Sequence, residues 1–542
     1  MSKLSTLQAV CGFFLCVRAL AGAAEQPAVA ATTVFTNPIL LGFHADPSIC
    51  RVGDDYYMVN STFEYFPGVP VYQSRDLVNW KLIGHCLTRK SQLNLDKARS
   101  SRGIFAPTIR YHAGTFYMIT TTVGAGGNFY VTATNAAGPW SEPVWVDRAG
   151  IDPSLFFDDD GKVYFTRQVD GERGYSGQSL LNLGTGKLEG EMKELWRGTG
   201  GVWPEGPHLY KINGKYYLMI SEGGTSYNHA LTVARSDSPW GPFESNPNNP
   251  ILTHRNRPND PLQALGHGDL VETPDGWWVV FLGIRPQGGR YHHIGRETFL
   301  APVTWQNGWP VINSNQPITA TMRAPRLTPH PWLQLPPRDE FDAPALRLDW
   351  RYLRNPNEAD YSFSERAGWL RLHGSALALT NQDTQTFIGQ PQTAFDCRVV
   401  TKLSFNPQQP NEEAGLVLRG DDRNHYEIGI QLKDGKRHAF LRKVLNGKIT
   451  EPVSTLEIAH DDVVLSVKAT PLQYEFFCQS AQGKETSLGT APTKSLSSET
   501  ITTQNAGMSF IGVFVGLYAT GNGQRSTVPA DFDWFEYRTG EP

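Results

Sequence analysis

Hydrophobic positions along this chain come in short stretches cut by Gly, Asp, Asn and Pro, a pattern of many short strands and tight turns rather than long helices. The stretches repeat. Asp46-Pro47-Ser48 runs through Gly53 to Tyr56-Tyr57, Ala106-Pro107-Thr108 through Gly114 to Phe116-Tyr117, and Asp152-Pro153-Ser154 through Gly161 to Val163-Tyr164-Phe165. Glu205-Gly206-Pro207 runs through Gly214 to Tyr216-Tyr217, and Gly268-Asp269 through Gly276 to Trp277-Trp278. Gly turns between such pairs are hairpin signals, and an echo ending at Trp80, Trp140 and Trp240 adds further strands to three of the units. Five units, with aromatic positions at 57, 117, 164, 217 and 278, predict a five-bladed β-propeller over residues 34–314.

The pattern changes near residue 315. Pro325, Pro329, Pro331, Pro336 and Pro337 mark residues 315–338 as an extended connector. From Asp339 to the end, alternating runs such as Gly415–Arg419, Tyr426–Ile430, Val463–Val467, Phe510–Leu517 and Phe532–Tyr537 predict an all-β sandwich of about 200 residues.

Composition narrows the function classes. With 49 Lys+Arg against 53 Asp+Glu the chain carries a formal charge of −4, which provides no basic field for nucleic acid. Lys3, the apolar run Leu7–Val17 and the small residues Ala19–Ala24 form a signal-peptide pattern over residues 1–24, so secretion to the periplasm or the exterior is expected. That run is too short to span a bilayer, and no later one qualifies, so no membrane partner is expected. Cys50, Cys86, Cys397 and Cys478 remain after cleavage, too scattered for a zinc site, and read as buried thiols or at most a bridge or two.

In a propeller the innermost strands start near one axis, so the repeated landmarks converge there. Three of them carry a carboxylate: Asp46, Asp152 and Glu205, each beside apolar neighbours. Carboxyls crowded in an apolar setting repel and desolvate one another, which raises the pKa of at least one. A protonated acid beside an ionised base is what glycosidic cleavage requires.

These residues carry a resemblance. Gly42–Ile49, Gly150–Phe156 and Pro204–Tyr210 are similar to the three catalytic motifs of glycoside hydrolase family 43, in its β-xylosidase and α-L-arabinofuranosidase branch. Ser61–Gly68, Gly266–Glu272, Gly295–Thr298 and Pro529–Asp533 extend the match over nearly the whole mature chain. The resemblance implies a five-bladed propeller with a C-terminal concanavalin-like β-sandwich. It makes Asp46 the base that activates water, Glu205 the acid and Asp152 the residue that orients Glu205 and holds its pKa up. Such enzymes invert the anomeric carbon, with the base and acid about 6.5–9.5 Å apart.

By the same match Arg296 lies near the sugar, and Phe63 and Phe105 form an aromatic platform for its apolar face. Phe510 reaches from the sandwich to close the pocket, and His267 contacts the substrate and, in many members, a calcium or other cation on the propeller axis. No other cofactor is implied. Phe105 and Thr108 depart from the Trp and Asp common in related xylosidases.

The resulting expectation is a secreted, exo-acting inverting glycosidase that removes a terminal β-D-xylose or α-L-arabinofuranose from xylan-derived oligosaccharides or side chains. Either pentose is compatible with the residues. An endo-arabinanase and a non-catalytic carbohydrate-binding propeller are the alternatives. A retaining invertase-type propeller lacks its Asn-Asp-Pro-Asn-Gly and Arg-Asp-Pro motifs here.

Overall fold

Four of the five landmarks open an innermost strand, and Gly268-Asp269 lies within the fifth. The computed structural model describes Met1 and residues 32–540, except 326, 451–452, 460–461, 481–482 and 506–507. The expected signal segment therefore lies outside the described residues, apart from Met1. The inner strands are Ser48–Val52, Thr108–His112, Ile151–Phe157, Glu205–Ile212 and Gln263–Thr273, and each pairs antiparallel with the strand that follows it. Gly53, Gly114, Gly161, Gly214 and Gly276 make these hairpin turns at positive φ, where a side chain would be strained. Two further strands complete the sheets of the first, third and fifth blades and three those of the second and fourth, and neighbouring inner strands pack in a ring in which the fifth meets the first.

A carboxylate locks this ring at its axis. Asp269, on the fifth inner strand, is fully buried and accepts hydrogen bonds from Arg110 Nη1 at 2.8 Å, Ser48 Oγ at 2.7 Å and the Tyr210 hydroxyl at 2.7 Å. Strands of blades one, two, four and five thus meet on one side chain. Burial pushes its pKa up, but the Arg110 guanidinium and the hydrogen bonds outweigh this and hold it well below the usual carboxylate range. A strand at Thr32–Thr36 pairs with Thr321–Pro325 beside the propeller. The expected connector is thus partly sheet: proline stands only at the last position of that strand, where it interrupts little pairing.

Residues 338–539 form two stacked antiparallel sheets, of eight and nine strands, around a core that includes Trp350, Leu416, Ile428, Leu465, Phe476 and Phe535. The nine-stranded sheet contains one strand from the propeller. Tyr65–Phe66, in the first blade's loop, pairs with Arg351–Leu353, and the Tyr65 ring stacks on Phe514 at 3.7 Å. Arg419 joins the same seam, donating to the Tyr65 hydroxyl at 2.7 Å and lying 3.4 Å from Glu64.

The run expected to form a strand from Phe510 does so only from Phe514 to Thr520. Residues 510–513 instead lie against the propeller, with Val513 N–H donating to the His293 carbonyl at 2.7 Å. Gly512 makes this approach possible, because a Cβ there would collide with the backbone of Ile294 and Gly295. The four cysteines expected in the mature chain are free and buried. Among the described residues no helix is long and apolar enough to cross a membrane.

Candidate active site

The three landmark carboxylates converge because the backbone kinks where each inner strand starts. Asp46 and Asp152 sit at φ 53° and 54°, and Gly206, next to Glu205, at 59°. The pairing register shifts between Ile151 and Ser154 and between Glu205 and His208. Such bulges re-aim side chains, and left-handed backbone at a non-glycine residue is a strain that the surrounding fold must hold. All three carboxylates line one cavity of about 530 Å³, together with Phe63, Phe105, His267, Arg296 and Phe510. Every site residue named from the sequence therefore lies on one concave surface, within the size range of small-molecule sites.

Electrostatics divide the carboxyls into two kinds. Asp46 is buried, yet Arg296 Nη1 lies 2.8 Å from its Oδ1, Ser61 Oγ donates to its Oδ2 at 2.6 Å, and His267 Nδ1 is 3.8 Å away. Burial pushes Asp46 up, but Arg296, His267 and Ser61 more than offset this and leave it below the ordinary value. Among the described residues no such cation is in hydrogen-bond contact with Glu205. Burial and the Asp46 charge push it up to about 8, against a smaller opposing effect of Arg296. Asp152 is raised well above the ordinary value by burial, by Glu205 and by Asp46, although its Oδ2 accepts the Gly206 N–H at 3.2 Å. The site therefore sets a carboxyl whose ionised form is favoured beside two whose protonated form is favoured.

Aromatic rings and one guanidinium wall this centre. Phe63 and Phe510 stack at 5.6 Å, and Phe105 meets them edge-on at 5.2 and 5.8 Å. Arg296 lies over Phe63 and Phe510 at about 5.5 Å and donates from Nε and Nη2 to the Phe510 carbonyl. Phe510 N–H in turn donates to Ser101 Oγ at 2.9 Å. The sandwich thus supplies one wall of a pocket otherwise built by the propeller.

His267 shares its surroundings with the Arg296 guanidinium, and its Nδ1 lies 3.8 Å from Asp46 Oδ1. Its ring packs over Gly206, where a Cβ would meet it at 3.0 Å. The acidic run Asp158–Asp160 belongs to a hairpin, with Asp158 holding Lys211 at 2.9 Å and the Tyr216 hydroxyl at 2.7 Å.

Comparison with known proteins agrees with this geometry. Residues 35–310 match the model of glycosyl hydrolases family 43, and residues 338–538 match the beta xylosidase C-terminal concanavalin A-like domain. The chain belongs to glycoside hydrolase family 43. It is 48% identical over 514 residues to a non-reducing end alpha-L-arabinofuranosidase of Bacteroides ovatus, covering 94% of this chain and 95% of that one. It is 39% identical to a xylan 1,3-beta-xylosidase of a Vibrio species, covering 93% and 99%. The solved structure of Bacteroides ovatus Xyloglucan PUL GH43B superposes with a TM-score of 0.89 at 48% identity, over 94% of this chain and all of that one. A xylan beta-1,4-xylosidase from Bacillus halodurans gives 0.88 at 38% identity, over 93% and 100%. The protein is a family 43 glycosidase, and relatives at this level act on both arabinosides and xylosides.

Several side chains of this family 43 site were not found by sequence reasoning. Thr225 Oγ1 accepts from Arg296 Nη1 at 3.1 Å, and Trp203, 41% exposed at φ 54°, stands at the cavity rim. The Gly223-Gly224 pair preceding Thr225 is a loop signal that could have pointed to it. His229 is fully buried, with Nε2 4.0 Å from Glu205 Oε1. A single histidine at the start of a strand has no spacing to reveal it.

Proposed function

We propose that this family 43 enzyme is a secreted, exo-acting, inverting glycosidase that removes a terminal pentose from plant-polysaccharide oligosaccharides or side chains. The observation that carries this reading is one pocket holding Asp46 kept ionised and Glu205 kept protonated. Asp46 serves as the base that draws the proton from an attacking water. Glu205 serves as the acid that donates its proton to the leaving oxygen, and Asp152 keeps Glu205 oriented and proton-bearing. Arg296 holds the base and steadies the sugar hydroxyls, while Phe63, Phe105 and Phe510 receive the apolar sugar face.

Exo action is supported by the wall that Phe510 adds, which favours a chain end over the middle of a polymer. α-L-Arabinofuranose is the better supported glycone, because the relative sharing 48% identity is a non-reducing end alpha-L-arabinofuranosidase; β-D-xylose is supported by relatives at 40% and below. Secretion is supported by the charged, apolar and small-residue order of residues 1–24. The test is release from aryl α-L-arabinofuranoside and aryl β-D-xylopyranoside side by side, with the anomer of the first-formed sugar followed by NMR. Dominant arabinose release with inverted configuration supports the reading. A retained anomer refutes the base assignment, and internal cleavage of a linear arabinan refutes exo action.

A further inference from the structure

His229 presents a buried nitrogen without a hydrogen-bond partner. Its Nδ1 faces the Ala264 carbonyl at 3.2 Å, and a carbonyl only accepts, so Nδ1 bears the ring proton. Nε2 is then a bare acceptor. It is buried and unsatisfied, at a cost of about 1–3 kcal/mol for a group of this kind. Glu205 Oε1 lies 4.0 Å from it. Gly266 fixes the ring there, because a Cβ on that residue would collide with the imidazole.

Protonation of the imidazole does not resolve the vacancy. Burial, then the positive surroundings of His267 and Arg296, lower its pKa to about 3, so the ring stays neutral. The unsatisfied acceptor and the proton-bearing carboxyl complement each other. The terminal torsion of a Glu is broad, so rotation about it can turn the O–H toward Nε2.

We propose that His229 is a positioning residue for Glu205: its bare Nε2 accepts the Glu205 O–H in the resting site, orients that proton and keeps the carboxyl in its acid form. This inference rests on Glu205 being the general acid. When substrate binds, the O–H turns to the leaving oxygen. The water oxygen bonds to the anomeric carbon as the glycosidic C–O bond breaks, the leaving oxygen takes the Glu205 proton, and the water gives its proton to Asp46. His229 gains and loses no proton in this step; afterwards Asp46 releases its proton to solvent and the Glu205 carboxylate takes one back. The groups that face Glu205 are Asp46 before the first blade, Asp152 of the third, His229 of the fourth, and His267 and Arg296 of the fifth. His229 supplies the uncharged acceptor among them.

The test compares His229→Asn, which keeps a donor for Ala264 but withdraws the acceptor, with His229→Gln, which can place an oxygen near the Nε2 position. Each is assayed across pH on an aryl pentoside with a poor leaving group and on a dinitrophenyl pentoside, whose leaving group needs no proton. For His229→Asn the basic limb is expected to fall by about one pH unit, with a loss of about tenfold or more on the poor leaving group and little on the activated one. His229→Gln is expected to restore the limb. An unmoved limb, or equal loss on both substrates, overturns the inference.

Glu205→Gln separates this outcome from failure of the acid assignment. It is expected to abolish the basic limb while sparing the dinitrophenyl substrate; if it does neither, the acid reading itself fails. Should His229→Asn not fold, nitrogen NMR of the wild-type histidines decides. A neutral His229 with the proton on Nδ1, and an Nε2 resonance that moves as Glu205 ionises, supports the inference. A proton on Nε2 overturns it.

Discussion

Replacing Arg296 with Met tests the electrostatic division of the site at its origin. Two guanidinium nitrogens lie 2.8 and 3.4 Å from the Asp46 oxygens, and Arg296 is the largest of the influences that lower this carboxyl. A guanidinium in such contact lowers a carboxyl by about 1–3 pH units, or about 1.4–4 kcal/mol. Without it, burial is opposed only by the histidines and Ser61, and the Asp46 pKa rises. The base must be ionised to act, so activity is lost as pH falls through its pKa.

The acidic limb of kcat/KM for an aryl arabinofuranoside is therefore expected to move up by about 1–3 units in Arg296→Met. Below the new midpoint the rate drops about tenfold per pH unit. Arg296→Lys keeps the charge but not the planar fork that also grips the Phe510 carbonyl. Its limb is expected to stay within about half a unit of wild type, while KM rises. The limb position rather than the height of the plateau is the readout, because Arg296 also contributes to the pocket wall. An acidic limb left in place by Arg296→Met, or moved equally by Arg296→Lys, refutes the assignment of Asp46 as the base held down by Arg296.

Glu205→Gln is expected to stabilise the fold at high pH while abolishing acid catalysis. The folded pKa of Glu205 lies above its unfolded value, so ionisation costs the folded state stability progressively as pH rises from about 4.5 to about 8. Gln carries no such cost, so the melting temperature of the variant should exceed that of wild type by more at pH 9 than at pH 5, and an equal difference at both contradicts the raised pKa. Asp269→Asn weakens the lock on the axis and leaves Arg110 buried without its carboxylate, for which a loss of about 3–5 kcal/mol is expected in denaturant unfolding. Gly512→Ala forces a Cβ into Ile294, so the loop carrying Phe510 must lift from the propeller. The expected loss is about 1–3 kcal/mol with a rise in KM, and unchanged KM would show that Phe510 does not shape the sugar site.

The five-bladed architecture was legible in the sequence because turn chemistry is local. Gly53, Gly114, Gly161, Gly214 and Gly276 each reverse the chain within a few residues, and the landmarks ahead of them fall in register. Register alone placed Asp46, Asp152 and Glu205 near one axis, which is why the carboxylate site could be named before any coordinates. The fate of each carboxyl was not legible. Asp269 stands at the fifth landmark and is more deeply buried than the other three carboxylates, yet Arg110 and Tyr210 from two other blades turn it into an ionised structural lock.

The same holds across the seam between propeller and sandwich. The strand Tyr65–Phe66 and the loop at Phe510 each carry an ordinary apolar pattern, and their partners lie hundreds of residues away. His229 has no sequence spacing to betray it, since what distinguishes it is a missing hydrogen bond and a neighbour at 4.0 Å. Strand, turn and repeat were determined by the sequence because backbone preference acts within a few residues. Charge state, pocket closure and the pairing of buried polar atoms were decided by the tertiary structure, because desolvation and Coulomb interaction depend on which distant segments are brought within a few ångströms.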